Sequence, residues 1–139
     1  MKKTITILTP TYNEVGNIDE LYSRITKITA KIHKYNFEYL TIDNASSDGT
    51  IEKLKKIASK NKKVKVILNI RNFGPDNSIM HAFKQVRSDA CIHIASDLQD
   101  PPEVIPDLIK KWEEGFKTVV LVKSASEESR CAFLLRKFY

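Results

Sequence analysis

The clearest signal in the chain is ASDLQDPPE, residues Ala95 to Glu103. It follows the short apolar run CIHI, residues 91–94, which is typical of a strand, and it precedes residues 104–112, whose apolar spacing is helical. The carboxylate of Asp97 therefore falls just past the carboxyl end of a strand, which is where open α/β sheets bind ligands.

The loop around Asp97 is predicted to be short and stiff. Asp100 is a natural N-cap for the following helix, and Glu103 completes a capping-box pattern with it. Pro101 and Pro102 suit the first helical turn. Such a loop can hold Asp97 in fixed geometry for a metal ion or another ligand.

Segments typical of strands and of helices alternate along the chain. The predicted strands are Ile5–Thr9, Phe37–Asp43, Val64–Leu68, Ala90–Ile94 and Thr118–Val122. The predicted helices are Asn17–Lys34, Thr50–Ser59, Asn77–Val86 and one that starts at Pro102 and ends before Gly115. This alternation predicts an α/β fold with a largely parallel sheet and helices on both faces.

Length and composition are those of one soluble globular domain. The chain has 139 residues, of which 42% are hydrophobic and 29% are charged. No apolar stretch approaches the roughly 18 residues of a membrane span, and the start MKKTITILTP predicts a first strand rather than a signal peptide. Cys91 and Cys131 do not make a disulfide framework, so we expect a reduced, cytoplasmic chain in which Cys91 packs in the sheet.

The formal net charge is +6, from 23 Lys and Arg against 17 Asp and Glu. Many of the lysines lie between Lys53 and Lys65, which predicts the solvated face of a helix and the loop after it. Nucleic-acid binding is not expected, because interleaved aromatic residues and a recognisable binding module are missing. Attraction to anionic lipid headgroups stays open as an alternative.

Three motif-bearing loops are expected to meet. Right-handed crossovers bring the loops after the first, second and fourth strands to one edge of a parallel sheet. These loops carry PTYNE (residues 10–14), DNASSDGT (residues 43–50) and ASDLQDPPE. Their convergence from distant parts of the chain predicts a single site at that edge.

Four motifs resemble family 2 glycosyltransferases of the GT-A fold. They occur in the family's order: ILTPTYNE (residues 7–14), IDNASSDGT (residues 42–50), RNFG (residues 71–74) and DLQDPPE (residues 97–103). The likeness is greatest to the polyprenyl-phosphate sugar transferases, the branch of dolichyl-phosphate mannose synthase and its bacterial relatives. The resemblance implies a GT-A (Rossmann-like) fold that binds a nucleotide sugar.

In that family the loop after the first strand wraps the nucleotide. The resemblance implies contacts from Pro10, from the ring of Tyr12 near the base, and from Glu14 near the ribose. The alternative is that Tyr12 is a partly buried loop aromatic and that Glu14 is a helix-start acid favoured by the dipole.

Family members usually carry two consecutive acids after the second strand, the first of which bonds the uracil imide. The resemblance implies that Asp43 accepts the imide N–H, whereas Asn44 replaces the second acid. Asp48 and Gly49 are interpreted as structural, because an Asp can cap the next helix and a Gly allows a tight entry into it.

The motif RNFG implies a phosphate contact from Arg71, whose guanidinium suits phosphate oxygens, and close backbone approach at Gly74. Family members often place a basic residue after this glycine, whereas Pro75 and Asp76 stand here. The alternative is that Arg71 is a surface residue beside a turn.

Family members commonly show two acids separated by one residue after the fourth strand, and the second holds Mg²⁺ or Mn²⁺. Ala95 replaces the first acid, and Asp97 matches the metal-binding position. One carboxylate is enough for Mg²⁺, which fills its shell with phosphate oxygens and water. The resemblance also implies that Ser96 and Asp97 contact the nucleotide and that Gln99 shapes the sugar pocket.

The implied function is metal-assisted transfer of a sugar from a UDP-sugar, with inversion, to a polyprenyl phosphate or glycan acceptor in cell-wall or polysaccharide biosynthesis. The family usually takes its general base from beyond the region that this chain matches, so no catalytic residue is named. Two alternatives stay open. One is a non-catalytic nucleotide-binding module or inactive fragment of such an enzyme, and the other is an unrelated doubly wound regulatory or redox domain without UDP affinity.

The expected organisation is a nucleotide-sugar-binding half-domain over residues 1–122 and a basic amphipathic tail over residues 123–139. The tail is interpreted as the start of an acceptor-side region that this chain lacks, so the fold is expected to be truncated. Apolar residues in the tail favour association with a membrane surface or with a second copy of the chain. We expect the protein in the cytoplasm, at the cytoplasmic face of the membrane if its acceptor is a lipid.

Overall fold

The structure, a computed structural model, describes residues 1–122. Its strands form a parallel sheet in the order β3-β2-β1-β4, with bounds β1 Thr4–Thr11, β2 Asn36–Asp43, β3 Val64–Leu68 and β4 Ala90–His93. The helices are α1 Ile18–Thr29, α2 Thr50–Lys60, α3 Pro75–Gln85 and α4 Ile105–Glu113, with a short 3₁₀ helix at Pro102–Val104 before α4. The predicted α/β fold with a parallel sheet is confirmed.

Strand β1 is central and sets the register of its neighbours. It pairs with β2 along its whole length, ending at Thr11 opposite Asp43, and with β4 up to Leu8 opposite His93. Because all three pairings are parallel, the carboxyl ends of the four strands lie at the same edge of the sheet. The loops predicted to converge therefore do leave from one edge.

The larger part of the core lies between the sheet and helices α1 and α4. Alternate residues of each strand face it, since successive side chains point to opposite faces. Its buried members are Ile5, Ile7, Leu21, Ile25, Phe37, Ile92, Ile94, Ile105 and Ile109. Full burial of one such side chain stabilises the fold by about 1.5–3 kcal/mol, so this layer holds the strands in register.

A smaller core lies on the opposite face of the sheet. Leu8, Leu40 and Ile42 pack there against Ala82 of α3, and the partly buried Cys91 packs against the same cluster. Burial raises the pKa of the Cys91 thiol to about 11. Helices therefore cover both faces, and the expected packing of Cys91 in the sheet is confirmed.

Helix α1 ends at Thr29 rather than at the predicted Lys34. The backbone turns over the next residues, where the N–H of Lys31 donates to the carbonyl of Ile28 and that of Ile32 to Thr29. Ile32 still packs against the core from this turn, so the apolar spacing continues after the helix has stopped. The boundary was wrong because the core contact does not require helical geometry.

The predicted capping box before α4 is wrong. Pro101, not Asp100, occupies the N-cap position of the 3₁₀ helix. The carboxylate of Glu103 accepts from the guanidinium of Arg24 in α1, with Nε to Oε1 at 3.0 Å. Both carboxylate oxygens of Glu103 are thus bonded to a side chain of α1.

The predicted fifth strand is also wrong. Residues 118–122 have no strand pairing, and the exposed fractions of Val120 and Val122 are 75% and 87%. This segment runs beside β4, where it helps to line an open groove of about 630 Å³ together with Phe83 and Trp112. An apolar, β-branched run forms a strand only when neighbours bury its side chains, and residues 1–122 do not bury Val120 or Val122.

None of the helices within residues 1–122 is both long and apolar enough to cross a bilayer. The predicted tail, residues 123–139, lies outside the described residues.

Candidate functional site

Four loops follow the four strands at the carboxyl edge of the sheet. We call them the first loop (residues 12–17), the second loop (residues 44–49), the third loop (residues 69–74) and the fourth loop (residues 94–101). Ligands of open parallel sheets bind at this edge. Every side chain predicted to contact a ligand lies in one of these loops or in the last two residues of the strand before it.

The first and second loops are joined by a reciprocal pair of hydrogen bonds. The backbone N–H of Asn13 donates to Ser46 Oγ at 2.8 Å, and the N–H of Ser47 donates to Asn13 Oδ1 at 2.9 Å. Asn13 has a positive φ of 56°, which asparagine tolerates better than most residues. Asn13 was not predicted as a site residue, yet it fixes the two loops against each other.

Asp48 ties the same two loops together at the start of α2. Its Oδ1 accepts from the backbone N–H and the hydroxyl of Thr50, at 3.0 and 2.6 Å, and its Oδ2 accepts from the N–H of Val15 at 3.0 Å. These bonds, that of the Thr50 hydroxyl foremost, hold the pKa of Asp48 below its ordinary value. Gly49 enters the helix with φ 99°. The structural interpretation of Asp48 and Gly49 agrees with this geometry.

Asp43 is fully buried at the end of β2. Its Oδ1 accepts from the N–H of Ser46 at 2.8 Å, and its Oδ2 accepts from the hydroxyls of Ser46 at 2.6 Å and Thr11 at 3.1 Å. Among residues 1–122 no ion pair involves this carboxylate. Asp43 is thus already bonded within the protein, and base recognition by this residue stays a prediction.

Asn44 joins the second loop to the third. Its side chain is 6% exposed and makes four hydrogen bonds. The Nδ2 group donates to Asn72 Oδ1 at 2.8 Å, while Oδ1 accepts from the N–H of Phe73 at 2.9 Å, from Ser78 Oγ at 2.8 Å and from Asn69 Nδ2 at 3.1 Å. In the sequence this residue stood out only as a missing acid.

Arg71 is exposed at the tip of the third loop. Its guanidinium lies over the ring of Phe73, 4.8 Å from the ring centre, which is a favourable cation–π arrangement. Gly74 follows with φ 82° as the N-cap of α3, and Pro75 occupies the first turn of that helix. Pro75 therefore has a structural role at the start of α3.

The predicted nucleotide contacts of the first loop differ in exposure. The ring of Tyr12 is 49% exposed and available for stacking, whereas Pro10 is half-buried within β1. Glu14 is half-buried, its N–H donates to Thr50 Oγ1 at 2.8 Å, and its Oε2 accepts from Asn17 Nδ2 at 2.7 Å. One carboxylate oxygen of Glu14 is thus already used in orienting the side chain.

The fourth loop holds Asp97 by a hydrogen bond within the loop itself. Asp97 is exposed, and its Oδ1 accepts from the N–H of the exposed Gln99 at 3.0 Å. Leu98 between them has a positive φ of 61°, and Ser96 before them is buried. The pairing of β4 with β1 places this loop beside the first loop.

The fit of a divalent cation is tested by the donors around Asp97. Residues 1–122 contain no cluster of three or more His, Cys, Asp or Glu side chains arranged to hold a metal ion. A single exposed carboxylate fits a Mg²⁺ or Mn²⁺ that takes its other ligands from phosphate oxygens and water. The residues therefore fit a cation that arrives with a diphosphate rather than one bound by protein side chains alone.

Comparison with known proteins identifies the family. The model of the family described as glycosyl transferase family 2 matches residues 6–133, which is most of the chain. The chain belongs to this family. The resemblance stated from the motifs is thereby confirmed.

Related sequences cover most of this chain, but the chain covers less than half of them. The undecaprenyl-phosphate 4-deoxy-4-formamido-L-arabinose transferase of Shewanella sediminis is 37% identical over 127 residues, 90% of this chain and 38% of that protein. An uncharacterized glycosyltransferase of Synechocystis sp. is 30% identical over 123 residues, 88% of this chain and 38% of that protein.

Solved glycosyltransferases share the fold. TarS of S. aureus, in complex with UDP-GlcNAc, matches with a TM-score of 0.65 and 23% identity over 92% of this chain and 39% of that chain. The mannosyltransferase PcManGT of Pyrobaculum calidifontis, in complex with GDP-Man and Mn²⁺, matches with a TM-score of 0.59 and 20% identity over 73% of this chain and 34% of that chain. The family 2 chain has the GT-A architecture over its described residues.

Proposed function

We propose that this family 2 chain binds a UDP-sugar and serves its transfer, with inversion, to a polyprenyl phosphate or glycan acceptor. The observation that carries the proposal is the network of polar side chains that joins the first three loops at the carboxyl edge, beside the exposed Asp97. Relatives named as undecaprenyl-phosphate transferases support the acceptor class, and the TarS complex supports the donor.

The residues of the first three loops would bind the nucleotide. Tyr12 offers an exposed ring face to the base, and Glu14 offers a carboxylate oxygen to the ribose hydroxyls. Asp43, at the end of β2, would accept the imide N–H of uracil. Arg71, oriented by its stacking on a neighbouring ring, would pair with the diphosphate.

Asp97 and water would hold a Mg²⁺ or Mn²⁺ ion together with the diphosphate oxygens. When bound, the cation supplies Lewis-acid stabilisation of the negative charge on the leaving diphosphate. The exposure of Asp97 and the bond from Gln99 leave one of its oxygens open toward solvent for that purpose. Gln99, next to it, would contact the sugar.

In the transfer an acceptor oxygen forms a bond to the anomeric carbon from the face opposite the diphosphate. The bond from that carbon to the diphosphate oxygen breaks, and UDP leaves with the electron pair. A phosphate acceptor already carries an anionic oxygen and needs little general-base help, whereas a hydroxyl acceptor needs a base. With a lipid phosphate as acceptor, this edge of the sheet would work at a membrane surface, and we propose the cytoplasmic face.

Thermal unfolding with UDP and Mn²⁺ tests the proposal. A ligand at 100 times its Kd stabilises the folded state by about 2.7 kcal/mol, so Tm should rise in UDP and rise further when Mn²⁺ is added. Asp97→Asn should lose the Mn²⁺-dependent part and keep the rest. Asp107→Asn, which changes an exposed acid of α4, is the matched control. An unchanged Mn²⁺ response in Asp97→Asn would remove Asp97 from the mechanism.

A non-catalytic nucleotide-binding module is the second candidate, because Ala95 stands where the family commonly has an acid. Both candidates predict UDP binding. Only the enzyme releases UDP from a UDP-sugar in the presence of polyprenyl phosphate, so a coupled assay for UDP release separates them.

A further inference from the structure

Two backbone amides fix the direction in which the side chains of Asn44 and Asn72 point. The N–H of Phe73 donates to Asn44 Oδ1 at 2.9 Å, and the N–H of Gly74 donates to Asn72 Oδ1 at 2.8 Å. A backbone N–H can only donate, so neither side-chain amide can be flipped to exchange its oxygen and nitrogen without losing one of these bonds. In the bond between the two side chains, Asn44 is therefore the donor.

This direction makes an amide necessary at position 44. A carboxylate there could still accept from Phe73, Ser78 and Asn69. Toward Asn72, however, it would present an acceptor to an acceptor at a site that is only 6% exposed. The chain thus has an asparagine where its own third loop requires a donor.

The hydrogen bonds of Asn44 reach the residues that orient Arg71. Asn72 and Phe73 follow Arg71 in the chain, and both bond directly to the Asn44 side chain. The ring of Phe73 is also the surface on which the guanidinium of Arg71 lies. The position of that guanidinium thus depends on a buried side chain in a different loop.

We infer that Asn44 is a positioning residue: it holds the third loop, and through it Arg71, in the arrangement that binds the diphosphate of the donor. The inference rests on the proposed function for the identity of the ligand. The arrangement of the loop itself rests only on the hydrogen bonds.

The first test applies one chemical change to both ends of the same bond. Asn72→Asp keeps an acceptor for Asn44 Nδ2 and for the N–H of Gly74. Asn44→Asp removes the Nδ2 group that donates to Asn72. In the ligand-free protein, Asn44→Asp should speed hydrogen exchange at the amides of Phe73 and Gly74 by about tenfold or more, while Asn72→Asp should change it far less.

The second test measures UDP affinity in the presence of Mn²⁺ by calorimetry, at a temperature where circular dichroism shows each variant folded. Asn44→Asp should raise the Kd for UDP about tenfold, because the binding-competent loop is less populated. Asn72→Asp should weaken UDP less, through its added charge, and high salt should reduce that loss. Ile109→Val, a core change in α4, should lower Tm without weakening UDP.

A pH series distinguishes positioning from a general loss of stability. In its protonated form the carboxyl introduced by Asn44→Asp has an O–H that can donate to Asn72 Oδ1. The defect in UDP binding, relative to wild type at the same pH, should therefore be smallest in acid, where that carboxyl is protonated, and should grow as pH rises and the carboxyl ionises.

Wild-type exchange rates and a wild-type Kd in folded Asn44→Asp would overturn the inference. If that variant does not fold, Asn72→Ala takes its place, because it removes the acceptor of both Asn44 and Gly74 at an exposed residue. It should then speed exchange at Gly74 and weaken UDP, and an unchanged Kd would overturn the inference. If wild type binds no UDP, the proposed function fails, while the exchange rates still decide whether Asn44 holds the loop.

Discussion

The first three loops and the fourth loop occupy the same edge of the sheet but are built differently. The former are joined by buried polar groups, among them Asp43 and Thr50 at 0% exposure and Asn44 at 6%. The fourth presents Asp97 to solvent with a hydrogen bond to its own loop. The edge therefore combines loops that are hydrogen-bonded to one another in the folded protein with a loop whose acid, Asp97, is exposed to solvent.

The difference has a consequence for ligand binding. Side chains that are ordered in the free protein lose little conformational entropy when a ligand arrives, so the first three loops are preorganised. An exposed acid near them can bind a cation without breaking bonds that the fold needs. Substitutions should accordingly damage the fold at the first three loops and damage only the ligand response at the fourth.

The largest expected effect is the difference between Asp43→Ala and Asp97→Ala. Removing Asp43 leaves the N–H and hydroxyl of Ser46 without their acceptor, and the hydroxyl of Thr11 keeps only the carbonyl of Ile42 at 3.3 Å. This should cost about 2–3 kcal/mol of the free energy of unfolding. Removing the exposed Asp97 should change it by less than about 0.5 kcal/mol. Urea denaturation followed by circular dichroism measures both.

Asp43→Asn is the control for that comparison, because its side-chain oxygen keeps one acceptor in place. The free energy of unfolding of Asp43→Asn should lie between those of wild type and Asp43→Ala. Equal losses of unfolding free energy in Asp43→Ala and Asp97→Ala would show that the acid of the fourth loop contributes as much to the fold as the buried acid at the end of β2.

The next effect in size concerns the backbone at the entry to α2. Gly49 has φ 99°, a region that residues with a Cβ rarely adopt, so Gly49→Ala should cost about 1–2 kcal/mol of the free energy of unfolding. Space is not the cause, since the added Cβ would meet Val15 at an ordinary 3.5 Å.

Gly16→Ala is the matched control in the first loop. A Cβ at Gly16 meets nothing within 4 Å, and its φ is not positive, so this variant should be as stable as wild type or slightly more stable. Thermal unfolding of the pair measures the difference. A loss in Gly16→Ala as large as that in Gly49→Ala would point to the methyl group rather than to the backbone conformation.

Local patterns in the sequence predicted the elements and the loops but not the contacts between distant segments. The bounds of β3 agree with the prediction, and the roles of Asp48 and Gly49 follow from neighbours within two residues. The capping role of Glu103 was wrong because its partner, Arg24, lies 79 residues away in the chain. A local pattern contains no information about that competitor.

The polar network of the site was missed for a related reason. Asn44 was compared with the acid that the family carries, so its amide was treated as a loss. The signal that could have found the network is a run of short polar side chains, Asn44, Ser46, Asn69 and Asn72, placed directly after two adjacent strands. Such residues bond neighbouring backbone groups, and adjacent strand ends bring them together.

The smallest expected effect is a shift in the titration of Asp48, and it tests how the second loop is held. The pKa of Asp48 lies below its ordinary value of 3.8, chiefly because the hydroxyl of Thr50 donates to it. A lowered pKa gives stability that is present above pH 3.8 and is lost as pH falls through the lowered value. Thr50→Val should move the pKa back toward 3.8, whereas Thr50→Ser should keep it low.

Titration of the Asp48 carboxyl by NMR measures the shift directly, and acid unfolding should begin at a higher pH in Thr50→Val than in Thr50→Ser. The comparison is informative because Thr50→Val removes the hydroxyl, whereas Thr50→Ser removes only the methyl group at the same buried position. If both gave the same Asp48 pKa, the backbone bonds from Val15 and Thr50 would be sufficient to hold the second loop. The remaining role of the hydroxyl would then be to accept from the N–H of Glu14 in the first loop, at 2.8 Å.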